Sequence, residues 1–222
     1  MNNNNERNIE EEIKLKMVQE EFHNGIDTVN KFNPSVSFYG STRVNEGHPY
    51  YEKVRNLTFR IAKELGYAIL SGGGPGIMEA ANRGAFEAGG KSVGLTIKLP
   101  TEQIANPYIT DEIQFHFFFT RQSAMSYSTE VCIFCPGGFG TLNELFEILT
   151  LQQTGKIGKI PVILLGSDYW NPIVKMIKEN LLEKFQTINK EDINMYIVKD
   201  DEDEILEIIK NSKIRNGDDS LK

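Results

Sequence analysis

The sequence predicts a single-domain α/β fold: a doubly wound parallel sheet in three α/β/α layers, with an extra helix at the N-terminus. Three observations carry this. Short apolar or β-branched runs alternate with longer helical stretches, the pattern of parallel strands joined by right-handed crossovers. The 222 residues, 40% hydrophobic and 25% charged, suit one large globular domain, and no repeat or linker interrupts them. Every glycine-rich or otherwise unusual cluster falls where a strand hands over to a helix, the edge at which such sheets bind ligands.

The elements follow in order. Residues 1–7 are asparagine-rich and read as a disordered tail, which leaves 8–222 as the domain. Over 8–31, Ile9, Ile13, Met17, Phe22, Ile26 and Val29 recur at steps mostly of three to five, an amphipathic helix that Pro34 ends. A strand "SVSFYG" precedes a helix over 48–65, and a strand "YAILSG" precedes a helix over 76–88. Next come a strand "KSVGLTI", a loop at 99–110, a strand "IQFHFFF" and a helix opened by Thr120 as its N-cap. "EVCIFCPG" leads into a helix over 140–153, and "IPVILLG" into a helix from Tyr169 to about 184. A short strand "MYIVKD" and a helix over 202–212 close the chain.

Composition excludes several functions. With 31 acidic residues against 24 Lys and Arg, a formal charge of −7 and no long block of either sign, the chain is a poor polyanion surface, so no nucleic acid partner is expected. No apolar run approaches the roughly 18–20 residues of a membrane span. The start "MNNNNERNIEEE" is not a secretory signal, so no membrane partner and a cytoplasmic location are expected. Cys132 and Cys135 form a C-x-x-C within a strand, where odd spacing sends the side chains to opposite faces, and no second pair completes a zinc site. They read as small core residues. His23, His48 and His116 lack ligand neighbours at useful spacing, so no metal is expected.

The chemistry sits at four strand ends. "YGSTR" brings Gly40 and Ser41 to the end of the first strand, and "SGGGPGIME" brings Gly73 and Gly74 to the end of the second. The second is a tight turn with exposed amides that attract an anion, but it fails as a dinucleotide fingerprint, because Ile77 stands at the third glycine and no acidic residue follows about 20 positions on. Lacking G-K-[ST], it is not a triphosphate loop either. "CPGGFGTLNE", after the fifth strand, is the better phosphate cradle: Gly137, Gly138 and Gly140 bare the main chain, and Thr141 adds a hydroxyl at the helix start. Glu144 lies four residues past Gly140, about 6 Å along the helix, where it either complements the helix dipole or reaches the ribose of a bound nucleotide. Arg121, opening the helix after the fourth strand at the same edge, favours the second reading, since its fork suits phosphate or ribose oxygens.

With these residues in hand, the chain resembles the LOG family, the "lonely guy" phosphoribohydrolases long labelled lysine decarboxylase-like, from about residue 20 to 185. The family's P-G-G-x-G-T-x-x-E motif is complete as Pro136, Gly137, Gly138, Gly140, Thr141 and Glu144. "SGGGPGIMEAANRGAFEAGG" and "LTLQQTGKIGKIPVILLG" also look like its longer bacterial members. Of the family's R-K-x-x-M segment, Arg121 and Met125 are kept, while Gln122 stands where lysine is usual and removes one positive charge. The resemblance also places Glu102 and Thr150 in the nucleotide pocket.

What the resemblance implies is a Rossmann-like fold, a homodimer, and hydrolysis of the N-glycosidic bond of a nucleoside 5′-monophosphate such as AMP or a cytokinin nucleotide. Arg121 and Glu144 are the catalytic pair it points to, with no cofactor. Glu144 would hold the ribose, face an oxocarbenium-like centre or polarise the attacking water, while Arg121 orients the nucleotide. The alternative is a non-catalytic nucleotide-binding protein, which Gln122 makes plausible. A pyridoxal-phosphate decarboxylase, as the old label suggests, needs a Schiff-base lysine, and none of the four clusters contains one.

Overall fold

The computed structural model describes residues 2–98 and 105–214. Its core is a seven-stranded sheet made of β1 (Ser35–Tyr39), β2 (Ala68–Ser71), β3 (Ser92–Ile97), β4 (Asp111–Phe115), β5 (Val131–Phe134), β6 (Val162–Leu165) and β7 (Ile197–Lys199). The spatial order is β4-β3-β2-β1-β5-β6-β7, and every pairing is parallel. β1 sits between β2 and β5, so the chain winds one way from β1 to β4 and then the other way from β5 to β7. The carboxyl ends of β1 and β5 therefore flank the topological switch point, where an open α/β sheet leaves a crevice.

The period-two side-chain alternation of a strand sorts the core into two layers. Val36, Phe38, Ile69, Val131, Ile133, Ile163 and Leu165 face α2 (Pro49–Arg60), α3 (Ile77–Glu87) and α7 (Glu202–Lys210). Tyr39, Leu70, Leu95, Cys132, Phe134, Val162 and Leu164 face α1 (Asn2–Val29), α4 (Phe118–Ser128), α5 (Phe139–Gln153) and α6 (Ser167–Met176). Cys132 and Cys135 are both buried and fall in opposite layers, as the odd spacing requires. Among the described residues no helix is long and apolar enough to cross a membrane.

α1 begins at Asn2; towards its end Val29 is buried, whereas Ile13 and Leu15 are exposed. Two expectations need correction. β4 runs over Asp111–Phe115 rather than 113–119, as an edge strand in which every second residue is exposed and Phe115 alone is buried, and Phe118 and Phe119 belong to α4. α4 in turn starts at Phe118, so Thr120 lies inside its first turn instead of capping it.

The reason is a carboxylate from another element. Glu21 of α1 accepts from the His116 N–H at 2.6 Å and the Phe117 N–H at 3.3 Å, and from the Thr120 hydroxyl at 2.8 Å. It does for α4 what a local N-cap would. Burial works to raise the Glu21 pKa, but the hydrogen bonds from Thr120, His116 and Phe117 outweigh it and hold the carboxyl below its usual range.

Candidate active site

The loops after β1, β2 and β5 are tied together by main-chain hydrogen bonds. Ser41 N–H donates to the Pro136 carbonyl at 3.1 Å, and Ile77 N–H donates to the Ser41 carbonyl at 3.0 Å. Gly76 makes the second contact possible: its φ is +73°, and a Cβ there would lie 2.4 Å from the Ser41 carbonyl oxygen. Above this junction opens a cavity of about 780 Å³, lined among others by Gly40, Ser41, Gly72, Arg121, Gly138 and Glu144.

One wall is the first turn of α5. Gly138 is its N-cap residue, and among the described residues no side chain caps the helix or claims its leading amides. A Cβ at Gly138 or Gly140 would meet nothing within 4 Å. Packing within the chain therefore does not demand glycine at either place; what the bare backbone provides is close approach for something outside the chain. Gly137 differs, because a Cβ there would stand 2.2 Å from Thr141 Oγ1. The loop is braced from behind by α6, where the Tyr169 hydroxyl donates to the Gly137 carbonyl at 2.6 Å and Trp170 Nε1 donates to the Phe134 carbonyl at 3.0 Å.

The same cavity holds an ion pair. Arg121 Nη2 lies 3.3 Å from Glu144 Oε1, with the two side chains 12% and 16% exposed. Gly72 leaves room for the guanidinium, since a Cβ there would be 3.0 Å from Nη1, and the guanidinium carbon sits 5.6 Å from the Phe118 ring centroid. Arg121 Nε is buried with no partner among the described residues. Burial pushes the Glu144 carboxyl up to about 7, Arg121 opposing the shift and Glu147 adding to it. The attraction of one guanidinium falls short of the desolvation cost, and the result is a carboxyl that changes charge near neutral pH, as acid–base groups in clefts do.

The other expected residues divide. Gly40, Ser41, Gly137, Gly138, Gly140, Thr141, Arg121 and Glu144 all line the cavity. Gly73 and Gly74 do not: the Gly73 N–H donates to Ser71 Oγ at 3.0 Å, and both carbonyls accept from Asn106, at 2.9 and 3.1 Å. Their polar groups are spent fastening the loop, and Gly72 is the glycine of that run that reaches the site. Met125 is buried in the core. Gln122 lies outside the cavity lining, its Oε1 accepting from Asn143 Nδ2 at 3.5 Å. Thr150 is exposed, donates back to the Phe146 carbonyl at 2.7 Å, and lines a separate groove with Leu149, Gln153 and Tyr196. Glu102 lies outside the described residues.

Sequence reasoning missed Arg43, Phe118, Phe139 and Tyr169, which also line the cavity. Arg43 belongs to the "YGSTR" cluster, so a signal existed; Tyr169 reaches the site from a distant helix and had none. Among the described residues no group of three or more His, Cys, Asp or Glu side chains could hold a metal ion.

The family model described as "Possible lysine decarboxylase" matches residues 78–209. A "Probable cytokinin riboside 5'-monophosphate phosphoribohydrolase" of Oryza sativa subsp. japonica is 30% identical over 161 residues, covering 70% of this chain and 74% of that protein. The cytokinin riboside 5′-monophosphate phosphoribohydrolase of Rhodococcoides fascians is 26% identical over 155 residues, 69% of this chain and 78% of its own. Among solved structures, the molybdenum cofactor carrier protein of Chlamydomonas reinhardtii superposes with a TM-score of 0.59 at 23% identity, over 80% of this chain and 96% of the other. That likeness shows a shared fold.

Proposed function

Because the chain belongs to the LOG family, whose model carries the description "Possible lysine decarboxylase", we propose that it hydrolyses the N-glycosidic bond of a nucleoside 5′-monophosphate of the AMP or cytokinin riboside type. The products are the free base and ribose 5-phosphate. The observation that carries the reading is the placement of the Arg121–Glu144 pair in the same cavity as the uncapped first turn of α5.

The phosphate monoester sits on the amides of that turn, where the helix dipole favours negative charge. The ribose then lies beside Glu144. As the C1′–N bond breaks, its electron pair leaves with the base and positive charge develops on the sugar, which the ionised carboxylate stabilises. Water adds to C1′ and gives one proton to Glu144, a role suited to a carboxyl with a pKa near 7, and the same proton then passes to the nitrogen of the departing base, which leaves neutral and returns Glu144 to its carboxylate form. Arg121 is permanently charged and so orients the nucleotide and Glu144 rather than donating a proton. The exposed rings of Phe118 and Phe139 at the cavity wall offer apolar faces for a base. Among the described residues no lysine lines the cavity, so nothing there supports the Schiff-base chemistry that the family description suggests.

The test is to incubate purified protein with AMP and follow adenine and ribose 5-phosphate by chromatography. Release by the wild type, lost in Glu144→Ala, is the expected result; equal traces from both would reject hydrolysis. A second reading, nucleotide binding without turnover, is favoured by the uncharged Gln122. Calorimetry that finds AMP bound but unhydrolysed, with turnover restored by Gln122→Lys, would select it.

A further inference from the structure

We propose that Arg43 recognises the phosphate dianion and makes the site selective for nucleoside monophosphates over the phosphate-free nucleosides, an inference that rests on the reading that a nucleotide occupies this cavity. Two cationic side chains line it among the described residues, Arg43 and Arg121. Arg121 is already engaged by Glu144 and by the Phe118 ring. Arg43 is exposed and makes no ion pair among the described residues, although the chain carries 31 acidic residues.

Its main chain, by contrast, is fixed. The Arg43 N–H donates to Ser41 Oγ at 3.1 Å, and Ser41 is pinned to Pro136 of the motif loop and to Ile77 at the start of α3. The guanidinium is therefore carried by an anchored turn and lines the same cavity as the start of α5.

Charge balance gives this free cation its task. A phosphate monoester carries about −1.5 to −2 at pH 7. A helix terminus supplies the equivalent of roughly +0.5. The charge of Arg121 is offset whenever Glu144 is ionised, and Gln122 brings none. A monoester held by α5 alone would remain under-compensated, and Arg43 is the uncommitted charge lining the same cavity. An arginine fork can also bond two phosphate oxygens at once.

The experiment is calorimetric titration of the full chain with AMP and with adenosine, in the wild type, Arg43→Gln and Arg43→Lys, alongside melting curves. The expected result is that Arg43→Gln weakens AMP binding roughly 10- to 100-fold. Adenosine binding and melting temperature should stay unchanged, with Arg43→Lys recovering part of the loss. An Arg43→Gln protein that binds AMP within about twofold of the wild type, or loses equally for AMP and adenosine, overturns the proposal, as does a wild type that binds AMP no more tightly than adenosine. Turnover is scored separately by base release, so a protein that binds AMP without hydrolysing it would refute the proposed reaction and leave the test of Arg43 intact.

Discussion

Gly137, Gly138 and Gly140 look interchangeable in the motif but serve different ends. Gly137 is glycine because Thr141 Oγ1 would stand 2.2 Å from a Cβ, whereas Gly138 and Gly140 face open space. Gly140 lies within the first turn of α5, where alanine is the better helix former by roughly 0.5–1 kcal/mol. Gly140→Ala should therefore melt no lower than the wild type, and up to about 4 °C higher, while binding AMP at least tenfold more weakly because its methyl group occupies the approach of the phosphate. Gly137→Ala should do the reverse in stability, losing about 1–3 kcal/mol through overpacking. Melting curves and calorimetry on both variants measure this, and a Gly140→Ala protein with unaltered AMP affinity would remove the phosphate cradle. The motif was legible in the sequence because its spacing is local. Tyr169 was not, because nothing in the residues around it reveals that its hydroxyl meets the Gly137 carbonyl.

Helix starts show the same division between local and distant causes. α2 and α7 begin within a residue or so of expectation, and each is capped by its neighbour: His48 Nδ1 accepts from Tyr50 N–H and Asp201 Oδ1 from Glu204 N–H. α4 and α6 begin earlier than the sequence suggests, and each is capped by a remote carboxylate. Asp200 accepts from the Gly166 and Ser167 N–H groups at 3.0 and 3.1 Å, while Glu21 reaches α4 from 95 residues away. Such caps leave no trace within a local window. The Glu21 cap bears on function because α4 carries Arg121 in its first turn. Glu21→Ala should cost about 1–2 kcal/mol in stability, as the loss of a cap does. It should also lower kcat/KM for AMP by about 3- to 30-fold through a misplaced guanidinium. Stopped assays with Glu21→Gln alongside separate the two effects: that variant keeps one acceptor oxygen and should fall between wild type and alanine in both measurements. If Glu21→Ala destabilises the protein but leaves kcat/KM unchanged, α1 is a strut with no bearing on the site.

Alternation of strands and helices announced the doubly wound sheet, but not that β1 and β5 would be neighbours; that adjacency comes from pairings such as Val36 with Val131, nearly a hundred residues apart. It brings together the loops around Ser41 and Pro136 and buries Glu144 between them, and the burial has a cost that the whole molecule bears. The carboxyl is raised from 4.5 to about 7. Below pH 4.5 it is protonated whether the chain is folded or not, and the full stability is present. As pH rises the unfolded chain gives up this proton first, so the folded state is progressively disfavoured until pH passes through about 7. The loss approaches roughly 3 kcal/mol, since each tenfold change in acidity between the two states is worth about 1.4 kcal/mol. Glu21 works in the opposite direction, its lowered pKa adding stability above the usual carboxylate range and losing it in acid. Glu144→Gln removes the titration at the heart of the site and keeps the shape of the side chain, so whatever the amide gains or loses beside Arg121 is the same at pH 5 as at pH 8. Melting temperatures of variant and wild type should consequently diverge in favour of the variant between pH 5 and pH 8, by up to roughly 6–12 °C. A gap that stays constant over that interval would mean that Glu144 is ionised throughout, and that the carboxyl which water is proposed to protonate has an ordinary acidity.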